Sequence, residues 1–168
     1  SAEAEAYRQR IASVVEGSKA EARGGAYQKK LEERDTYNRA FVQLTNLWRV
    51  DEGVRRFTLS RRFAKVAAEL LGVDAVRLYH DQALFKEPGG GHTPWHQDQY
   101  YWPLETTNTV TMWMPLVDAS IEMGTLVFAD GSHKAGPLAS LAISDESERV
   151  FREIVMGSRA RLSISEMS

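Results

Sequence analysis

The sequence has no cysteine. That excludes disulfides, thiolate metal sites and cysteine nucleophiles, and leaves His, carboxylate or water as the only ligands open to a metal. It has no excess of charge: 21 basic residues against 23 acidic ones give a net charge of −2. The basic residues are interspersed with acids, so no nucleic-acid surface is expected. No apolar run approaches a membrane span and no secretory signal is read, so no membrane partner is expected and a cytoplasmic, reducing compartment is the expectation. There is no GxGxxG or P-loop pattern, no internal repeat and no low-complexity segment. Histidine is scarce, with His80, His92, His96 and His133 the only four. What is present suffices for one domain: 168 residues, 43% of them hydrophobic, can enclose a core.

Helical patterning comes first. Residues 2–16 place Ala4, Ile11, Val14 and Val15 on an apolar stripe. Residues 17–26 hold Gly17, Ser18, Gly24 and Gly25 and predict a mobile loop. Residues 27–50 predict a short helix or strand entering the core through Phe41, Val42, Leu44, Leu47 and Trp48. Asp51 is placed to cap a brief helix through Phe57. Ser60 is placed to cap a stronger one bearing Phe63, Val66, Ala67, Leu70 and Leu71, with Gly72 as its stop. Strand patterning follows, over 75–86, 108–116 and 124–128, with a turn at Asp130-Gly131-Ser132-His133. Ser144 is placed to cap a helix over 145–155, and residues 159–165 predict a last strand. Helices first and strands later favour an α+β or mainly β domain over a βαβ fold.

The chemistry concentrates at Thr93-Pro94-Trp95-His96-Gln97-Asp98, just after a glycine-rich loop. On extended backbone, residues two apart share a face, so His96 and Asp98 can offer a ring nitrogen and a carboxylate oxygen to one metal while Gln97 points away. A His with a carboxylate is two thirds of the facial triad that holds non-haem Fe(II) with positions left open. The plainer reading is a structural His-carboxylate pair near a turn. His92 makes His-x-x-x-His with His96, the spacing of a helical zinc pair. Pro94 and the run Gly89-Gly90-Gly91 oppose a helix there and favour a loop His at the rim. His80 is expected to face the interior or a neighbouring residue from its strand, and His133 to make a structural hydrogen bond in its turn.

Four signatures in order carry a family resemblance. Asp81-Gln82-Ala83-Leu84-Phe85-Lys86 leads into Pro88-Gly89-Gly90-Gly91, followed by Pro94-Trp95-His96-Gln97-Asp98-Gln99. Met112-Trp113-Met114-Pro115-Leu116-Val117-Asp118-Ala119 comes next, and then Gly124-Thr125-Leu126 with Gly131-Ser132-His133. This order resembles the phytanoyl-CoA dioxygenase family. The resemblance implies a double-stranded β-helix (a jelly-roll, cupin-like sandwich) with N-terminal helices packed outside. It implies use of Fe(II), 2-oxoglutarate and O₂ to hydroxylate an unactivated carbon, with succinate and CO₂ released. His96 and Asp98 match the two proximal metal ligands, and Trp113 matches an aromatic beside 2-oxoglutarate. Gln82 and Lys86 lie where family members place polar contacts to that cosubstrate. Trp95, Gln99, Tyr101 and Trp102 follow the metal motif and line the expected mouth for a small-molecule substrate. Asp98 favours hydroxylation over halogenation, since related halogenases carry a small residue there.

The sequence departs from the family in one respect. No His follows His133, and Arg159 and Arg161 come too early to be the Arg that pairs with the far carboxylate of 2-oxoglutarate. The expectation is a single domain over residues 1–168 that lacks its last strands, with the distal His and the Arg in a C-terminal portion outside it. The competing expectation is a degenerate or truncated relative that serves as a non-catalytic binding or structural module. A cupin-like metal enzyme without 2-oxoglutarate is a third. The sequence chooses neither the substrate nor the oligomeric state.

Overall fold

The computed structural model describes residues 1–19 and 22–157 and the backbone of 164–166. The chain divides into two compact units. The first comprises Ser1–Lys30, Val42–Phe85 and Thr106–Asp118, and the second Leu31–Phe41, Lys86–Glu105 and Ala119–Ser168.

In the first unit, helix α1 (Ala2–Ser18) begins where the Ser1 hydroxyl accepts the Ala4 N–H, and Glu3 and Glu5 sit in its first turn. Both features suit the positive end of a helix. Its buried residues are Ile11 and Val15, and the Tyr7 ring lies 4.3 Å from that of Phe57. Helix α3 (Glu52–Thr58) starts as the sequence predicts, with the Asp51 carboxylate accepting the Val54 N–H. Arg10 clasps the same carboxylate through two bonds of 2.6 and 2.9 Å. Helix α4 (Arg61–Leu71) ends at Gly72 in the left-handed region, where the Val73 N–H reaches back to the Ala68 carbonyl. Ser60 occupies the cap position without a side-chain cap bond, and the apolar stripe of α4 stays open, with Leu70 71% exposed. Ile11, Val15, Tyr27, Val42, Leu44, Leu47 and Val54 form the core, and Phe57, Phe85 and Leu116 pack on it.

Of the stretch 17–26 read as a loop, Gly17 and Ser18 end α1, residues 20 and 21 lie outside the described residues, and the rest opens a 3₁₀ segment, Ala22–Gln28, which delivers Tyr27 to the core. Glycine discourages a long α-helix, but a few 3₁₀ turns with an aromatic anchor tolerate it. The strand read over 75–86 shortens to β2 (Gln82–Phe85), paired antiparallel with β1 (Val42–Thr45) in the register Val42↔Phe85 to Thr45↔Gln82. Residues 108–116, read as a strand, have no regular structure. Val110, Met112 and Met114 keep the apolar residues on one parity of the sequence, but both parities are largely exposed and no ladder among the described residues pairs them. A strand needs a hydrogen-bonded neighbour as well as a pattern.

The second unit holds α2 (Thr36–Ala40), capped by Asp35, and α5 (Asp145–Gly157). It also holds β3 (Val127–Ala129) and β4 (Ile164–Glu166), an antiparallel pair. The strand read over 124–128 thus begins three residues later, and most of the one read over 159–165 lies outside the described residues. The cap at Ser144 is as predicted, with a reciprocal partner: Ser144 Oγ accepts the Ser147 N–H at 3.1 Å and Ser147 Oγ accepts the Ser144 N–H at 3.0 Å. Phe151 and Val155 face inward. Helices with short antiparallel ladders make a mixed α+β arrangement. No helix among the described residues is long and apolar enough to cross a membrane.

Candidate metal centre

The loop that precedes the centre is fixed from both ends. Arg34, whose side chain is 6% exposed, pairs with Glu87 at its start. Gly90 N–H turns back onto the Glu87 carbonyl at 2.9 Å. A Cβ on Gly90 would lie 2.6 Å from the Arg39 carbonyl oxygen, so no larger residue fits that approach. Lys86 donates from Nζ to the Gly91 carbonyl at 3.1 Å and to Thr93 Oγ1 at 3.2 Å. Much of its stem is exposed, yet the ammonium is drawn into the loop, and burial pushes its pKa down. Lys86 therefore anchors the loop, a role the sequence does not announce.

Beyond the loop, Pro94 is fully buried and Gln97 has extended backbone. Asp98–Tyr101 is a 3₁₀ turn, so Asp98 opens a turn where extended backbone was assumed for the His-x-Asp pair. The expected convergence survives. His96 Nε2 lies 3.3 Å from Asp98 Oδ1, with the two side chains 29% and 49% exposed. His96 Nδ1 lies 2.9 Å from the Pro94 carbonyl oxygen. A carbonyl only accepts, so Nδ1 carries the hydrogen and the Nε2 lone pair faces Asp98 in the neutral ring. Burial pushes the His96 pKa down, but the protonated ring, which alone carries hydrogens on both nitrogens, donates to Asp98 and to the Pro94 carbonyl, and the net shift is upward.

Gln97 points the other way, as alternation requires. Its Nε2 donates to the Gly136 carbonyl at 3.0 Å, and its Oε1 accepts the Leu138 N–H at 2.8 Å. This two-bond clasp ties the motif to the 136–138 segment. From α5, Glu148 Oε2 accepts the Trp95 N–H at 2.9 Å. Nothing in the local sequence marks Gln97 or Glu148 as supports, because both partners are about forty or more residues away.

The residues expected at the mouth divide by role. Trp95, Gln99 and Trp102 are half-buried around the motif. Tyr101 is committed structurally: its hydroxyl accepts the Ile143 N–H at 2.7 Å, and its ring lies 6.4 Å from that of Tyr37. His92 is exposed on the loop, 3.8 Å from Glu148, and the helical zinc pair does not form. His133 lies exposed in the 3₁₀ turn Ser132–Ala135. Gln82 and Trp113 belong to the first unit. Gln82 is exposed on β2 with Nε2 2.8 Å from His80 Nε2, and Trp113 is half-buried in the irregular segment.

The donor pair fits a metal on geometric grounds. Two ligands with bonds of roughly 2.1 Å at a right angle stand about 3.0 Å apart, close to the observed separation. The Nδ1–H bond to a carbonyl is the usual way a protein orients a ligating His. Among the described residues no group of three His, Cys, Asp or Glu side chains is gathered, so the described set supplies two donors.

A His-x-Asp donor pair behind a glycine loop, on a mixed helix-and-strand scaffold, is the arrangement the described residues present. The chain belongs to the phytanoyl-CoA dioxygenase (PhyH) family, whose family model matches residues 1–151. That family is part of the Fe(II)/2-oxoglutarate oxygenase superfamily and is generally dependent on both. No solved structure gives a significant match to the chain.

Proposed function

We propose that this protein is an Fe(II)- and 2-oxoglutarate-dependent dioxygenase that hydroxylates an unactivated carbon of a small or medium organic substrate, releasing succinate and CO₂. The observation that carries this reading is the His96–Asp98 pair, with one ring nitrogen committed to the Pro94 carbonyl and the other 3.3 Å from the carboxylate. The reading includes a single jelly-roll domain, supported by family membership. Iron and 2-oxoglutarate, when bound, supply the O₂-activating chemistry. His96 offers the Nε2 lone pair and Asp98 a carboxylate oxygen. Pro94 holds the Nδ1 proton and so fixes the tautomer. Trp95, Gln99 and Trp102 restrict water and shape the substrate mouth, and Tyr101, expected there too, supports it through its bond to the Ile143 N–H. The cosubstrate roles of Gln82, Lys86 and Trp113 rest on the family resemblance, and Lys86 would have to exchange its loop contacts for such a role.

The test is anaerobic addition of Fe(II) and 2-oxoglutarate to the purified protein. A visible charge-transfer band is expected, absent in His96→Ala. Asp98→Gly is expected to abolish hydroxylation. A His96→Ala protein that still forms succinate at the wild-type rate would refute the reading. The presence of two donors among the described residues is the observation behind one alternative, a degenerate or truncated relative that keeps the fold as a binding or structural module. That alternative predicts no band under any metal or cosubstrate load.

A further inference from the structure

Glu148 is a helix residue that does not behave like a surface carboxylate. Its side chain is 17% exposed, and both of its oxygens are occupied. Oε1 accepts from Arg152, at 3.1 Å from Nε and 2.5 Å from Nη2. Oε2 accepts the Trp95 N–H at 2.9 Å and lies 3.8 Å from His92 Nε2.

The Trp95 nitrogen and the Pro94 carbonyl are two sides of one peptide unit. No peptide bond among the described residues is cis, so the N–H and the C=O of that unit point in opposite directions. Glu148 grips the N–H side, and His96 Nδ1–H donates to the C=O side at 2.9 Å. The result is a continuous chain: carboxylate, peptide N–H, peptide C=O, imidazole. Such chains polarise each member in turn, so a negative charge at one end makes the carbonyl at the other a stronger acceptor.

We propose that Glu148 is a positioning residue for the metal centre, acting on His96 through the Pro94–Trp95 peptide. In many metal sites a carboxylate bonds directly to the far nitrogen of a ligating His and fixes its orientation. Here a peptide unit stands between the two. Arg152 holds Glu148 in place, and α5 carries both residues one turn apart. The inference rests on the reading of His96 as a metal ligand, and the experiment separates the two.

Co(II) affinity is measured by titration on the full-length wild type and on the His96→Ala, Glu148→Ala and Glu148→Gln variants, with thermal unfolding of each metal-free protein alongside. Glu148→Ala is expected to weaken Co(II) binding about tenfold, with metal-free unfolding within a few degrees of wild type. Glu148→Gln keeps an oxygen acceptor for the Trp95 N–H and is expected to lose no more than about threefold. The ¹⁵N imidazole spectrum should show His96 as a single Nδ1–H tautomer in wild type and Glu148→Gln, and as a mixture in Glu148→Ala. Wild type binding no better than His96→Ala overturns the metal reading, and this inference with it. Wild type and Glu148→Ala binding alike overturns the inference alone. Equal losses in Ala and Gln variants, or a loss matched by metal-free instability, assigns Glu148 to helix packing and overturns it too.

Discussion

Tyr27 is buried, and its hydroxyl accepts the backbone N–H of Gln43 at 2.8 Å. Gln43 sits in β1, whose ladder to β2 occupies the other side of the strand, so the tyrosine covers the edge that the ladder leaves open. Tyr27→Phe keeps the ring and removes the acceptor, and should cost about 1–2 kcal/mol in denaturant unfolding. Gly90 is the most closely approached of the three glycines in the loop before His96. Gly90→Ala drives a methyl toward the Arg39 and Glu87 carbonyls, and a loss of about 1–3 kcal/mol is expected on the same assay. Asp51 sets an acid dependence. The Arg10 guanidinium and the Val54 N–H hold its pKa at about 2, against an ordinary 3.8. A carboxylate whose folded pKa is depressed contributes stability that is full above its unfolded value and fades as pH falls through the folded one. Asp51→Asn still caps α3 but cannot pair with Arg10 as a charge. Its stability curve between pH 4 and pH 2 should therefore be flatter than wild type, and an unchanged slope would contradict the assignment. Glu5, held at about 2 by Arg8, supplies a similar slope in both proteins.

Helix α5 illustrates which elements the sequence makes legible. Its start is written in four residues, Ser144 to Ser147, whose reciprocal bonds need nothing from the rest of the chain. The same holds for Asp51 before α3 and Gly72 after α4. Helix ends are local, so a sequence can state them. Residues 108–116 show the opposite case. The alternation at Val110, Met112 and Met114 is present, yet the segment is irregular, because pairing depends on a neighbour that no local pattern specifies. The His-x-Asp geometry was legible for the same reason the caps were: its two donors are two residues apart. Its supports at Gly136, Leu138 and Glu148 were not, since they meet the motif only through the fold. The capping pair also links an element to the site. Ser144→Ala should cost about 1 kcal/mol by loosening the first turn of α5, the turn that carries Glu148.

At the scale of the whole molecule, a ligand that binds only the folded state adds its binding free energy to the stability of the fold. The His96–Asp98 pair stands where the Pro94 carbonyl holds the His96 ring beside the carboxylate, and an unfolded chain has no such fixed arrangement. A metal held at roughly 100 times its Kd should therefore stabilise the protein by about 2.7 kcal/mol. For a chain of this size that corresponds to a rise of roughly 5–10 °C in the unfolding midpoint. His96→Ala should unfold near the metal-free wild-type temperature and show no rise at the same metal concentration. A wild-type protein that is not stabilised by Fe(II), Co(II) or Ni(II), with or without 2-oxoglutarate, would argue for the binding-module alternative. A rise that persists in His96→Ala would place the metal elsewhere on the chain. Because ligation requires the neutral ring and the upward shift at His96 favours the protonated one, the metal-dependent rise should shrink as the solution is made acid.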